Sequence, residues 1–254
     1  MEKTVGKWDE YFKVHLERAK ESGIDLNESV EKDWSGTKEW AERFIEPFMP
    51  ENPDAICEIG PGTGRHSRLY IDRTKTYYLA DYSDFVLDTL RAYFKSKPQA
   101  VYVKTTHSRL DIPSDSCDFA FSIGTFVHLY IEQIYGYLKE LHRILKIGGR
   151  AVIHFANFMD DAGYHFFVEK LPSGEKYDHR SIFRFYHPEM LEKMSETIGF
   201  ETLALLAIEG QRHCFLALQK NLGRPARMAI AKTKVGASLA SLPAFLWTYP
   251  CRIE

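Results

Sequence analysis

The stretch with the clearest chemical content in this sequence is Glu58-Ile59-Gly60-Pro61-Gly62-Thr63-Gly64. Glycines at alternate positions after an apolar run let backbone N–H groups approach a ligand with no Cβ in the way. A helix opening just beyond them would add free donors and partial positive charge. A tight strand-to-helix turn has the same composition, so the loop alone is a weak signal. Two neighbours sharpen it. Arg65 stands where the dinucleotide fingerprint G-x-G-x-x-G carries its third glycine, which argues against a nicotinamide dinucleotide. Asp81 ends the next apolar run, where a carboxylate can accept both hydroxyls of a ribose; without the loop before it, it would read as a turn or helix-capping residue.

These residues need elements to position them. Ala55–Ile59, Tyr77–Ala80, Val101–Val103, Asp118–Ile123 and Arg150–Phe155 read as short buried strands. Between them, Arg65–Ile71, Asp84–Phe94 and Ile131–Leu145 read as helices, the last ended by Gly148-Gly149. Strands alternating with helices imply a parallel sheet covered on both faces. Pro188–Ile198 reads as a helix stopped by Gly199. Leu203–Ile208 and Cys214–Leu218 read as an antiparallel hairpin about Glu209-Gly210-Gln211. Ahead of all this, residues 7–49 carry apolar side chains at helical spacing (Trp8, Tyr11, Phe12, Leu16, then Trp40, Phe44, Ile45) and close at Pro47, Pro50 and Pro53.

The blocks taken in order resemble the class I S-adenosylmethionine-dependent methyltransferases, of the type 11/12-like kind. Glu58–Gly64 is similar to that family's acidic residue followed by G-x-G-x-G. Leu110–Asp118 (LDIPSDSCD) is similar to its LPFPDGSFD, and Leu141–Ile153 (LHRILKIGGRAVI) to its L-x-R-V-L-K-P-G-G. The resemblance runs from about Asp54 to Lys220. It implies an α/β, Rossmann-like, doubly wound seven-stranded sheet, mostly parallel, with a C-terminal antiparallel hairpin. It also implies S-adenosyl-L-methionine as cofactor. Gly60, Pro61, Gly62 and Gly64 would face its methionine part, with Glu58 supporting the loop. Asp81 would hold the ribose and Tyr82 would lie by the adenine. Ser122, Ile123 and Gly124 would line the methionine side. Where the family often has an acidic residue for the adenine amine, this chain has Thr106, with His107 and Ser108 beside it, so a backbone group or Ser108 would replace it.

The chain divides into an aromatic-rich N-terminal helical lid (1–50), a methyltransferase domain implied by the resemblance (51–220) with a substrate insertion where the family often builds its pocket (160–187), and a C-terminal extension marked by a shift in composition (221–254). Methyl transfer needs an in-line nucleophile held at near-attack distance. A sulfonium loses its charge in the step, which a dry, covered site does not oppose. Trp34, Trp40 and Phe44 are the lid candidates, with packing against the sheet edge as the other reading. A hydroxyl acceptor needs a general base; His128, after the fourth strand, is the candidate. Trp34, His154, Tyr164, His165, Arg184, Tyr186 and His187 are the candidates for acceptor binding. Asp160 and Asp161 follow the fifth strand, but Gly124 and Thr125 after the fourth give no carboxylate, so no metal is expected. The absence of an N-P-P-Y-like motif disfavours DNA-base amino groups.

Composition sets the outer limits. With 254 residues and a formal net charge of −2, the chain shows no basic run of the kind nucleic-acid binders carry. Its four cysteines are far apart and form no C-x-x-C pair, which suits a reducing cytoplasm rather than zinc or a disulfide framework. No apolar run reaches the roughly 20 residues of a spanning helix. Residues 221–254 are apolar behind Arg224, Arg227, Lys232 and Lys234. They would dock onto the domain or a second subunit in a homodimer, or contact a membrane peripherally. The expectation is a cytoplasmic enzyme that methylates a small molecule or saccharide on oxygen without a metal. An N-methyltransferase of a small metabolite and a non-catalytic S-adenosylmethionine-binding module are the alternatives.

Overall fold

The computed structural model describes residues 2–106, 108–170, 183–208 and 210–221. His107, part of the 160–187 insertion, Glu209 and nearly all of the C-terminal extension lie outside the described residues.

The framework is one sheet in the order β3-β2-β1-β4-β5-β8-β7. Its strands are β1 (Ala55–Ile59), β2 (Thr76–Asp81), β3 (Ala100–Lys104), β4 (Cys117–Ser122), β5 (Leu145–Asn157), β7 (Phe200–Ala207) and β8 (His213–Lys220). Strands β3, β2, β1, β4 and β5 are parallel neighbours, and β8 runs antiparallel to both β5 and β7. Every residue of β1 is buried, as a central parallel strand with helices on both faces requires. The sequence expectation of a mostly parallel doubly wound sheet with a C-terminal antiparallel pair holds.

Among the described residues the strand count is eight rather than seven. The added strand, β6 (Phe185–Tyr186), pairs in parallel with Ala156 and Asn157 at the far end of β5. That pairing lies past the last β4–β5 partners, Ser122 and Ile153. Two residues carry no readable period, so only the tertiary pairing reveals this strand.

The helices are α1 (Glu2–Ser22), α2 (Leu26–Glu31), α3 (Thr37–Trp40), α4 (Ser67–Tyr70), α5 (Asp84–Tyr93), α6 (Ile131–Ile144), α7 (Asp161–Lys170) and α8 (Pro188–Ile198). Helix α5 starts because the Ser83 hydroxyl accepts the Val86 N–H at 3.1 Å. Helix α6 buries Ile134, Leu138, Leu141 and Ile144 at helical spacing, the stripe that seats it on the sheet. Helix α8 opens on Pro188 and stops at Gly199, as its sequence indicates. Two apolar layers result. One joins α6 and α8 to the sheet through Leu138, Leu141 and Leu191; the other joins its opposite face to Phe44, Ile45, Tyr70, Val86 and Leu90.

Two local expectations need correction. Helix α6 ends before Gly148-Gly149; those residues sit inside β5, where the register with β4 slips between Cys117 and Phe119. They lie in an irregular stretch of that strand, not at a helix stop. The helix expected over Arg65–Ile71 is reduced to Ser67–Tyr70, because the turns of the glycine loop continue through His66.

Candidate functional site

A cavity of about 590 Å³ opens at the carboxyl ends of β1, β2 and β4, the edge where doubly wound sheets bind ligands. That volume is in the range of small-molecule and cofactor sites. Its floor is the loop after β1. The N–H of Gly60 bonds to Ala80 O at 2.8 Å and that of Gly64 to Pro61 O at 2.9 Å, so the loop is locked to β2 and to itself. Gly60 has φ +68, and a Cβ on it would overlap the Thr125 side chain. Gly64 has φ +82, and a Cβ there would lie 2.7 Å from Phe94. The first glycine is needed for close approach to the chain after β4, the second for packing on α5.

Under the loop, the Glu58 carboxyl is buried and accepts hydrogen bonds from the Ser67 hydroxyl at 2.5 Å and the Tyr77 hydroxyl at 2.8 Å. Burial pushes it up to about 7; the two hydroxyls pull the other way. Asp81 closes β2 and lines the cavity, accepting the Ser83 N–H at 2.8 Å. Burial pushes its carboxyl up to about 6, against the N–H groups of Ser83 and Tyr82 that favour the charged form. His66 also lines the cavity, and its Nε2 is buried with no hydrogen-bond partner among the described residues. Burial drives His66 well below the ordinary histidine range.

The cover comes from the N-terminal helices. Trp8, Tyr11 and Phe12 of α1, Val30 of α2, and Trp34, Thr37 and Trp40 around α3 all line the cavity. Arg65 ties this cover to the loop: its guanidinium donates to Trp34 O at 2.5 Å. Trp40 meets His154, His213 and Phe215 edge-on at ring separations of 5.3, 5.0 and 5.6 Å.

Of the residues singled out in the sequence, Gly60, Pro61, Gly62, Asp81, Tyr82, Ser108, Ile123, Gly124, His128, Trp34 and His154 line the cavity. Others do not. Glu58 lies beneath the loop, as a supporting residue. Gly64 packs against Leu90 and Phe94. Ser122 is buried and donates to Ile59 O at 2.8 Å, tying β4 to β1. Thr106 is exposed and bridges to Arg109, so the adenine-side candidates reduce to Tyr82 and Ser108, with His107 outside the described residues. Phe44, a lid candidate, is instead fully buried and stacked on Phe215 at 4.0 Å.

In the insertion, Tyr164 and His165 are exposed on α7, and exposed His187 caps α8 by accepting the Glu189 N–H at 3.3 Å. Arg184 and Tyr186 flank the site instead of lining it. Arg184 donates to His128 O at 3.3 Å and Tyr186 to Leu129 O at 2.6 Å, so the β6 segment clamps the chain that carries His128.

Sequence reasoning missed Trp8, Phe12, His66, Thr125, Phe183, Arg212 and His213 as cavity residues. The helical spacing of Trp8 and Phe12 was readable, but which of its faces meets the glycine loop was not. Arg212 and His213 begin the last hairpin strand and reach the cavity only because β8 lies beside β5.

Residues 57–153 match the family model described as a methyltransferase domain. No curated protein matches the chain in sequence. Among solved structures, a putative methyltransferase from Haloferax volcanii, determined in complex with the Trm112 methyltransferase activator, superposes with a TM-score of 0.59 at 16% identity, covering 77% of this chain and 94% of its own. A TehB-like S-adenosylmethionine-dependent methyltransferase from Corynebacterium glutamicum gives 0.55 at 17% identity, covering 84% and 98%. The 4+2 cyclase SpnF gives 0.56 at 14% identity, covering 74% and 80%. At these identities the likeness is one of fold, and SpnF shows that the fold alone does not dictate the chemistry. The cavity fits the family's cofactor on its own terms: a carboxylate at the end of β2, a buried His66 nitrogen with no partner among the described residues, and a glycine floor that side chains would obstruct. Residues 57–153 thus match a methyltransferase domain, and the sheet around them has the fold of the S-adenosylmethionine-dependent methyltransferases.

Proposed function

We propose that this enzyme methylates a small-molecule or saccharide acceptor on oxygen, without a metal, and that residues 1–50 act as its lid. The observation that carries this reading is the placement of His128 in the cavity, on the turn after β4, with Trp8 at a ring separation of 4.7 Å and Phe183 at 5.2 Å.

S-adenosylmethionine supplies an electrophilic methyl group on a cationic sulfur. Asp81 and Tyr82 would hold its nucleoside, and Gly60, Pro61 and Gly62 its amino-acid end. The chain's contribution is then positioning, water exclusion and proton removal. Trp8, Phe12, Trp34 and Trp40 line the cavity and would shield a bound cofactor from solvent. His128 would take the acceptor's hydroxyl proton, and the Arg184 and Tyr186 clamps on His128 O and Leu129 O hold it in register. The chain after β4 offers Gly124 and Thr125, which supports metal-independent chemistry. Asp160 is used locally, accepting the Ala162 N–H.

The test is release of S-adenosylhomocysteine from purified protein with panels of hydroxyl-bearing and amine-bearing acceptors, with and without EDTA. Turnover confined to hydroxyl acceptors and unaffected by EDTA is expected. Turnover on amines alone would replace the oxygen reading with the nitrogen one. Activity lost in EDTA and restored by a divalent ion would overturn the metal-free mechanism.

A further inference from the structure

Among the described residues Arg212 is a cation without an anion. It lines the cavity just before β8, and its Nε is buried with no hydrogen-bond partner among those residues. Its guanidinium carbon lies over the Phe166 ring at 4.2 Å and the Phe183 ring at 4.6 Å. Among the described residues no carboxylate pairs with it. The two acids that line the cavity are engaged elsewhere: Asp33 with His15 at 3.1 Å, and Asp81 with the Ser83 N–H. Ring contacts use the faces of a guanidinium and leave its in-plane N–H fork for a planar oxyanion. A half-buried cation held this way is costly unless an anion completes it.

The neighbouring histidine adds a second donor, fixed by a chain of hydrogen bonds. The Gly124 N–H donates to His154 Nδ1 at 3.0 Å, so the proton of neutral His154 sits on Nε2. That nitrogen is 2.9 Å from His213 Nδ1 and must donate to it. The proton of neutral His213 therefore sits on its own Nε2, the one ring nitrogen left for a ligand. Burial keeps both rings neutral: it drives His154 well below the ordinary range and His213 down to about 4. So pinned, His213 offers the cavity a donor and not a base.

We propose that Arg212 and His213 form the acceptor-recognition end of the cavity and that the methyl acceptor carries a carboxylate, which binds there. Trp8, His128 and Phe183, in successive ring contact, and Phe183 beneath Arg212 give the rest of that acceptor an aromatic wall. This assignment rests on the methyl-acceptor reading of the cavity and narrows it to carboxylate-bearing molecules.

The test uses benzoate and its neutral isostere benzamide as probes of the full-length protein, with binding read by tryptophan fluorescence without turnover. Benzoate should bind at least tenfold more tightly than benzamide. Arg212→Gln should abolish that preference while leaving S-adenosylmethionine affinity unchanged, which also certifies the fold. His213→Phe should weaken benzoate by a smaller factor. Equal binding of the two probes to the native protein, or a preference that survives in Arg212→Gln, overturns the proposal whether or not the variants fold well. Because no methyl transfer is read, these outcomes are separate from failure of the oxygen-acceptor reading, which shows as absent S-adenosylhomocysteine release.

Discussion

The Tyr77 hydroxyl donates to the Glu58 carboxyl at 2.8 Å, joining β2 to β1 directly under the glycine loop. The Ser67 hydroxyl donates to the same carboxyl. Glu58 is raised from 4.5 to about 7, so the folded state favours its protonated form. Its contribution is fully present below pH 4.5 and is lost as pH rises through about 7. The shift corresponds to roughly 3 kcal/mol. Glu58→Gln should remove this part of the pH dependence. Urea midpoints at pH 5 and pH 8 would show it as a difference between variant and native protein that grows with pH in favour of the variant.

Asp81 is raised from 3.8 to about 6 by burial, so below that pH it is protonated and a poor acceptor for ribose hydroxyls. Cofactor affinity should fall as pH drops below about 6, by roughly tenfold per unit. Asp81→Asn should weaken binding by roughly ten- to a hundredfold and flatten the profile, as expected for loss of a charged acceptor. Calorimetric titration with S-adenosylmethionine between pH 5 and 8 measures both effects.

Gly64→Ala should destabilise the protein by roughly 1–3 kcal/mol, because it adds a left-handed backbone penalty to overpacking. The backbone there has φ +82, and the new Cβ would meet Phe94 at 2.7 Å and Leu90 at 3.0 Å. Denaturant unfolding provides the measurement; a variant as stable as the native protein would contradict this packing role.

His128→Ala should lower turnover by roughly 10²–10⁴-fold while leaving the dissociation constant for S-adenosylmethionine unchanged, the range for loss of a general base. Steady-state kinetics beside equilibrium binding separates the two. Undiminished turnover would remove His128 from the mechanism.

The central sheet and glycine loop were legible because they are local. A five-residue apolar run, alternating glycines and an acidic strand end are each read within a few neighbours, and parallel sheets with crossover helices bring them to one edge. Asp81, Tyr82, Ser108, Ile123 and Gly124 accordingly line the cavity. Much of the rest of the cavity lining was not legible. Tyr164, His165 and His187 have suitable chemistry but lie on exposed faces of α7 and at the start of α8, whereas Arg212 and His213, in an ordinary hairpin, line the cavity. Chain position after β5 did not distinguish them, since the hairpin's place in the sheet comes from long-range pairing of His213 with Ala156.

By itself the sequence determined the alternation of strands and helices in the central sheet, the glycine floor and the acidic end of β2, since each follows from local periodicity, backbone freedom and spacing. The tertiary structure alone decided what covers that floor and what faces it. Trp8 and Phe12 meet the loop because α1 folds back over it, and a Cβ on Gly62 would lie 3.1 Å from Phe12. His154 and His213 are 59 positions apart and share a proton path because β5 and β8 are antiparallel neighbours. Contacts of that span depend on how whole elements pack, which no local pattern encodes.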